Sequence, residues 1–163
     1  MILEALTLFH VVISLIGLIA GFIVLFNFIV SKPKMWWTAV FLWVTLATSM
    51  TGFLFPMHRF LPSHAVGILS IVVLGLGFLA QYGFHLFGVW RRVFVIAATI
   101  ALYFNSFVAI VQCFKHIPAL DALAPTQSEP PFLITQLILL LLFIALGVTA
   151  SRKIRNLATS AVG

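Results

Sequence analysis

Charge is what this chain has least of. Its 163 residues include nine basic and three acidic side chains, a charged share of 7%, where soluble domains carry roughly a quarter. The few charges are also confined. None falls inside five long uncharged runs, Glu4 to Lys32, Lys34 to Arg59, Arg59 to Arg91, Arg92 to Lys115 and Glu129 to Arg152. Bilayer hydrocarbon is ~30 Å thick and takes roughly 20 apolar helical residues to cross, which each run supplies. With 63% hydrophobic residues and a mean hydropathy of +1.24, a soluble globule is excluded. The expected fold is an all-α integral membrane bundle of five transmembrane helices with a short outer interfacial segment. The helices are expected at about 5–30, 37–55, 64–89, 93–114 and 132–150, making 1–163 one polytopic domain with no room for a soluble catalytic module.

Other scarcities narrow the chemistry. Cys113 is the single cysteine, which excludes an intrachain disulfide and a thiolate metal cluster. No carboxylate lies within a run, so neither paired-acid catalysis nor a buried charge coupled to ion transport has its residues. No nucleophile elbow, phosphate-cradling glycine loop or HExxH is present, and the glycines sit at packing spacings instead. A cleavable signal peptide would need a basic start, but Met1 to Ala5 contains only Glu4. The first run is therefore taken as a span.

The net charge of +6 would suggest a nucleic acid partner in a soluble protein, yet here its distribution explains it. With the amino terminus outside, Lys32, Lys34, Arg91, Arg92, Arg152, Lys153 and Arg155 fall on the cytoplasmic side. Only Arg59 and Lys115 fall outside, together with Glu4, Asp121 and Glu129. That is a positive-inside bias, so a nucleic acid partner is not called for.

Polar and small residues mark the expected interior. His10, Ser14, Gly17 and Gly21 share one face of the first span, and Gly17 with Gly21 form a small-xxx-small packing pair. The second span is rich in hydroxyls, Thr38, Thr45, Thr48, Ser49 and Thr51, placed for helix packing. The third carries a stripe through Gly67, Ser70, Gly77, Gln81, His85 and Gly88, and the fourth one through Ala97, Ala101, Asn105, Ala109 and Gln112. Buried amides are costly in hydrocarbon unless bonded, so these stripes are expected to face one another or a common cavity. Between Lys115 and Pro131, the spacing of Ile117, Leu120, Leu123 and Ala124 predicts a short amphipathic helix on the outer surface. The fifth span, with only Gln136 and Gly147 on its polar side, is expected to be the most lipid-exposed.

Two site hypotheses follow. Gln81, His85, Tyr103, Asn105 and Gln112 would line a cavity for a lipid, quinone or other amphiphile, because such pockets are mostly apolar with a few convergent polar groups. Alternatively, His10 and His64 lie at comparable outer depth on two spans and would ligate a b-type haem for electron transfer. His85 lies ~31 Å from His64 along a continuous helix and cannot share that ligand.

From Trp90 to Phe132 the segment WRRVFVIAATIALYFNSFVAIVQCFKHIPALDALAPTQSEPPF resembles one found in small multispanning proteins of bacterial inner membranes, a group with no established activity to transfer. The resemblance implies a bacterial inner membrane, in which the positive-inside bias would place the amino terminus in the periplasm and the carboxyl terminus in the cytoplasm. The functional expectation is a non-catalytic accessory subunit or amphiphile binder, embedded in the lipid bilayer and associating with other membrane subunits or with itself.

Overall fold

A computed structural model describes residues 2–30, 32–55 and 62–160, with the side chains of 62–64 and 155–160 left out. The described residues form helices and turns with no strand. The elements are α1 (Ile2–Ile29), α2 (Met35–Gly52), α3 (Pro62–Phe78) continued by a π-helical turn (Leu79–Gly83), α4 (Val89–His116), the single turn α5 (Pro118–Asp121) and α6 (Pro130–Ser160).

Proline and glycine set the ends. α2 begins two residues after Pro33, α5 has proline in its first turn, and α6 opens on Pro130 and Pro131, where a missing N–H does no harm. Ahead of α6, the Glu129 carboxylate accepts hydrogen bonds from the Thr126 and Ser128 amides at 3.1 and 3.0 Å and from the Thr126 hydroxyl at 2.8 Å. Gly88, at φ +55°, turns the chain into α4.

The long helices run in alternating directions, as the contacts between them show. On α1 and α2, His10 meets Thr51 while Gly21 meets Phe41. On α2 and α3, Phe53 lies against Gly67 while Leu42 lies against Gly77. On α4 and α6, Phe114 meets Phe132, Tyr103 meets Phe143, and Thr99 meets Gly147. α1 also packs antiparallel on α4, with Asn105 at the Ser14 carbonyl and Phe94 against Phe28. The core lies where α1, α2, α3 and α4 converge, around the fully buried Leu25, Phe28, Phe41, Leu42, Leu74, Phe94 and Leu102.

Gly17 and Gly21 are buried at this crossing. A β-carbon on Gly21 would stand 2.5 Å from Leu102 Cδ1 and 2.8 Å from Phe41 Cε2, while one on Gly17 would stand 3.3 Å from both Asn105 Nδ2 and Thr45 Oγ1. The pair thus lets α1 approach α2 and α4 of the same chain.

Polarity is distributed inside out. Thr38, Thr45, Thr48, Ser70, Gln81, Thr99, Ser106 and Gln136 are buried, whereas Ile19, Phe26, Ile138 and Leu141 are more than half exposed. Most of the hydroxyls bond back to their own helix: Ser14 to His10 O, Thr48 to Val44 O, Thr51 to Ala47 O, Thr99 to Val95 O and Ser106 to Leu102 O. Such a surface cannot be solvated by water over these lengths, but it suits hydrocarbon. Among the described residues, four helices are long and apolar enough to cross a membrane: Ile2–Ile29, Ala65–Gly83, Val89–His116 and Pro130–Ile154. The chain is an all-helical protein built for a membrane. α2 stands outside this set because its four threonines, one serine and three tryptophans dilute its apolar character.

Two expectations are corrected. The third helix does not continue to Val89. Its ladder widens after Phe78, with the Phe84 amide donating to Leu79 O, and closes when the Leu86 amide donates to Ala80 O. His85 and Leu86 then take left-handed conformations at φ +49° and +57°, so His85 sits exposed in a turn and not on the stripe with Gln81. The amphipathic outer helix shrinks to the turn Pro118–Asp121, and tighter hydrogen-bonded turns carry the chain on to Ala124, just before Pro125. That loop is nonetheless anchored, with Ala124 buried against Phe114 and Phe132 and the Gln127 side chain donating to Val111 O at 3.1 Å.

Candidate functional site

The side chains expected to form one cavity are dispersed. Gln81 is buried at the foot of α2, its amide nitrogen 3.8 Å from Met35 Sδ and its Oε1 without a partner. Asn105 donates to the Ser14 carbonyl at 3.3 Å beside Gly17 and Thr45. With α2 as a ruler, Met35 and Thr45 mark these two levels, about 15 Å apart along the axis. His85 and Gln112 are exposed, and Tyr103 faces α6.

His10 has a defined environment. Its Nδ1 lies 2.8 Å from Thr51 Oγ1, and its ring meets Phe55 edge-on with centroids 5.3 Å apart. Thr51 has one hydroxyl hydrogen, with the Ala47 and Thr48 carbonyls at 2.8 and 3.1 Å to receive it. Assigned so, Thr51 accepts from an Nδ1–H tautomer and the lone pair is left on Nε2, the arrangement in which a histidine can ligate a metal. The His64 side chain lies outside the described residues. No group of three or more His, Cys, Asp or Glu side chains converges among the described residues.

The structure opens instead between α4 and α6. A groove of about 480 Å³ is walled by Ile96, Ile100, Leu140, Phe143, Ile144 and Val148, with Thr99 and Gly147 on its floor. A β-carbon on Gly147 would lie 3.1 Å from Thr99 Cγ2, so glycine keeps the two helices close at this point. The polar groups gather toward one end, where Arg92, Ser151 and Arg152 line the mouth, and Tyr103 lies near the other. Arg92 and Tyr103 are eleven positions apart on α4, a length of about 17 Å. Of the five residues expected in a shared cavity, Tyr103 alone lines this groove.

Compared with protein-family models, curated proteins and solved structures, the chain matches none.

Hydropathy along α6 pointed to lipid exposure and so away from this site. The available signal was the alignment of Gly147 and Ser151 on one face of α6, opposite Thr99 and Arg92 on an antiparallel α4.

Charge is unevenly distributed along the bundle. Lys32, Lys34, Arg91, Arg92, Arg152 and Lys153 lie at the end reached by the carboxyl end of α1 and the amino end of α4. Glu4, Asp121 and Glu129, the only acids in the chain, lie at the other, with Lys115. The mouth of the groove therefore opens at an end holding none of the chain's Asp and Glu side chains.

Proposed function

We propose that this protein is a non-catalytic, five-span subunit of a bacterial inner membrane that holds an amphiphile in the groove between α4 and α6. One observation carries the reading. The groove is apolar along its length and polar at one end, the form suited to a molecule with a tail and a headgroup.

Five crossings are supported by the alternation of helix directions. α2 lies antiparallel to α1 from Thr51 down to Phe41, and at 18 residues it is about 27 Å long, close to the hydrocarbon thickness. Its hydroxyls and tryptophans lower its hydropathy, yet Thr38, Thr45 and Thr48 are buried. The concentration of basic residues at one end favours a cytoplasmic carboxyl terminus and a periplasmic amino terminus. A reporter fused to the carboxyl terminus is expected to be active only in its cytoplasmic form, and a periplasmic signal would overturn the five-span arrangement.

The groove reading is tested by filling the groove. Ile144 is 53% exposed and lines its wall, so Ile144→Trp adds bulk there without disturbing the core. Wild-type protein released in mild detergent is expected to retain amphiphile that mass spectrometry detects, and Ile144→Trp to lose it. Equal retention by both would refute the groove as the site.

The Nδ1 bond from His10 to Thr51 favours a second reading, a bis-histidine haem held through His10 Nε2 and His64. A Soret band with reduced α and β bands, lost on His10→Ala, would establish it. A flat spectrum from protein made with ample haem would remove it.

A further inference from the structure

We infer that the groove selects an anionic phospholipid of the basic leaflet, its phosphate held between Arg92 and Arg152 and one acyl chain lying along α4 and α6. This deepens the amphiphile reading and rests on it.

Charge complementarity identifies the occupant. Arg92 and Arg152 both line the mouth, and neither has an ion-pair partner among the described residues. With all three acidic side chains of the chain at the opposite end, no Asp or Glu is at hand to neutralise them. Arginine forks suit the oxygens of a phosphate, which they engage with two N–H groups at once. Arg91, the neighbour of Arg92, is otherwise engaged, its guanidinium 5.8 Å from the centre of the Phe28 ring.

Helix geometry points the same way. The first turn of α4 holds no acid, and its N-cap, Gly88, offers no side chain to the free amides. Two arginines there oppose the positive end of the helix dipole, a conflict that a bound anion relieves. A neutral quinone headgroup would leave both guanidiniums uncompensated.

Length fits as well. The groove extends about 17 Å from Arg92 to Tyr103, close to half of a ~30 Å hydrocarbon layer. A chain anchored by its phosphate at the arginines reaches the bilayer midplane near Tyr103, whose hydroxyl makes no hydrogen bond among the described residues.

The test uses full-length protein in phosphatidylcholine vesicles carrying chain-spin-labelled phosphatidylglycerol or phosphatidylcholine, with electron spin resonance reporting the motionally restricted lipid. Phosphatidylglycerol is expected to be favoured in the restricted population, by about fivefold for each arginine, the effect of one basic side chain near an anionic surface. Arg92→Gln/Arg152→Gln should erase the preference, Arg92→Lys/Arg152→Lys should keep part of it, and Ile144→Trp should lower the restricted population for both lipids. Excess inorganic phosphate should not displace the labelled lipid.

The failures are distinct. If Ile144→Trp changes nothing, the amphiphile reading itself falls. If it empties the groove while wild type treats the two lipids alike, the amphiphile reading stands and the anionic headgroup is wrong. A preference surviving the double glutamine variant would overturn the arginine assignment, and displacement by phosphate alone would reduce the site to an ion site.

Discussion

Gly21 and Gly75 should respond oppositely to the same substitution. Each lies within a long helix, where alanine is preferred to glycine by about 0.5–1 kcal/mol because it restricts the unfolded backbone. Gly75 is on the exposed face of α3 with nothing within 4 Å of its would-be β-carbon, so Gly75→Ala should gain that amount. At Gly21 the new methyl would stand 2.5 Å from Leu102 Cδ1 and 2.8 Å from Phe41 Cε2. Both neighbours are fully buried, so they can yield only by repacking against the rest of the core. Overpacking a dense interior costs about 1–3 kcal/mol. Set against the helix gain, Gly21→Ala should destabilise by about 1 kcal/mol at the middle of these ranges and by at most about 2.5 kcal/mol. Thermal unfolding in detergent, followed by loss of the monodisperse elution peak, would place the two variants on opposite sides of wild type. The Gly21→Ala/Leu102→Ala double variant should lose less stability than the sum of the single losses, because the two changes share one space. A Gly21→Ala protein as stable as wild type would refute the close approach of α1 to α2 and α4.

The remaining predictions concern the outer loop and the interior amide. Burial tends to raise the Glu129 carboxyl, but hydrogen bonds from the Thr126 hydroxyl and from the Thr126 and Ser128 amides outweigh it and hold the group below its ordinary 4.5. A depressed carboxyl stabilises the fold above its unfolded value and loses that contribution as pH falls through the folded one. The Thr126 and Ser128 amide resonances should therefore shift together with a midpoint below 4.5. Glu129→Gln should abolish the shift, and a midpoint at or above 4.5 would contradict the loop geometry. Asn105→Leu removes the bond to the Ser14 carbonyl and should cost about 0.6 kcal/mol, the ordinary worth of an interhelical hydrogen bond in a membrane. A loss several times larger would reveal a polar network beyond that bond.

The long helices were legible because hydrocarbon leaves the backbone no alternative to internal hydrogen bonding, so an uncharged run of sufficient length is enough to locate one. The end of α3 was not. Leu79 to Gly88 is apolar at helical spacing, and the change to a wider hydrogen-bond ladder comes from the turn at His85, Leu86 and Gly88, which hydropathy does not register. The groove was hidden for another reason. Tyr103 and Asn105 are two positions apart on α4 and so project to nearly opposite sides, one toward α6 and the other toward α1. Their common polarity suggested one cavity, whereas the order of neighbours around α4 divides them between two interfaces.

The separation of cations and acids has an electrical consequence. With six described basic side chains at one end and every acidic side chain, with Lys115, at the other, the bundle carries a fixed dipole along its helix axes. A potential of 100 mV, negative on the basic side, is worth about 2.3 kcal/mol for each elementary charge moved through it. In the orientation proposed above, inverting the bundle would drive cations and acids against that field together, so an energised membrane would favour that orientation over its inverse.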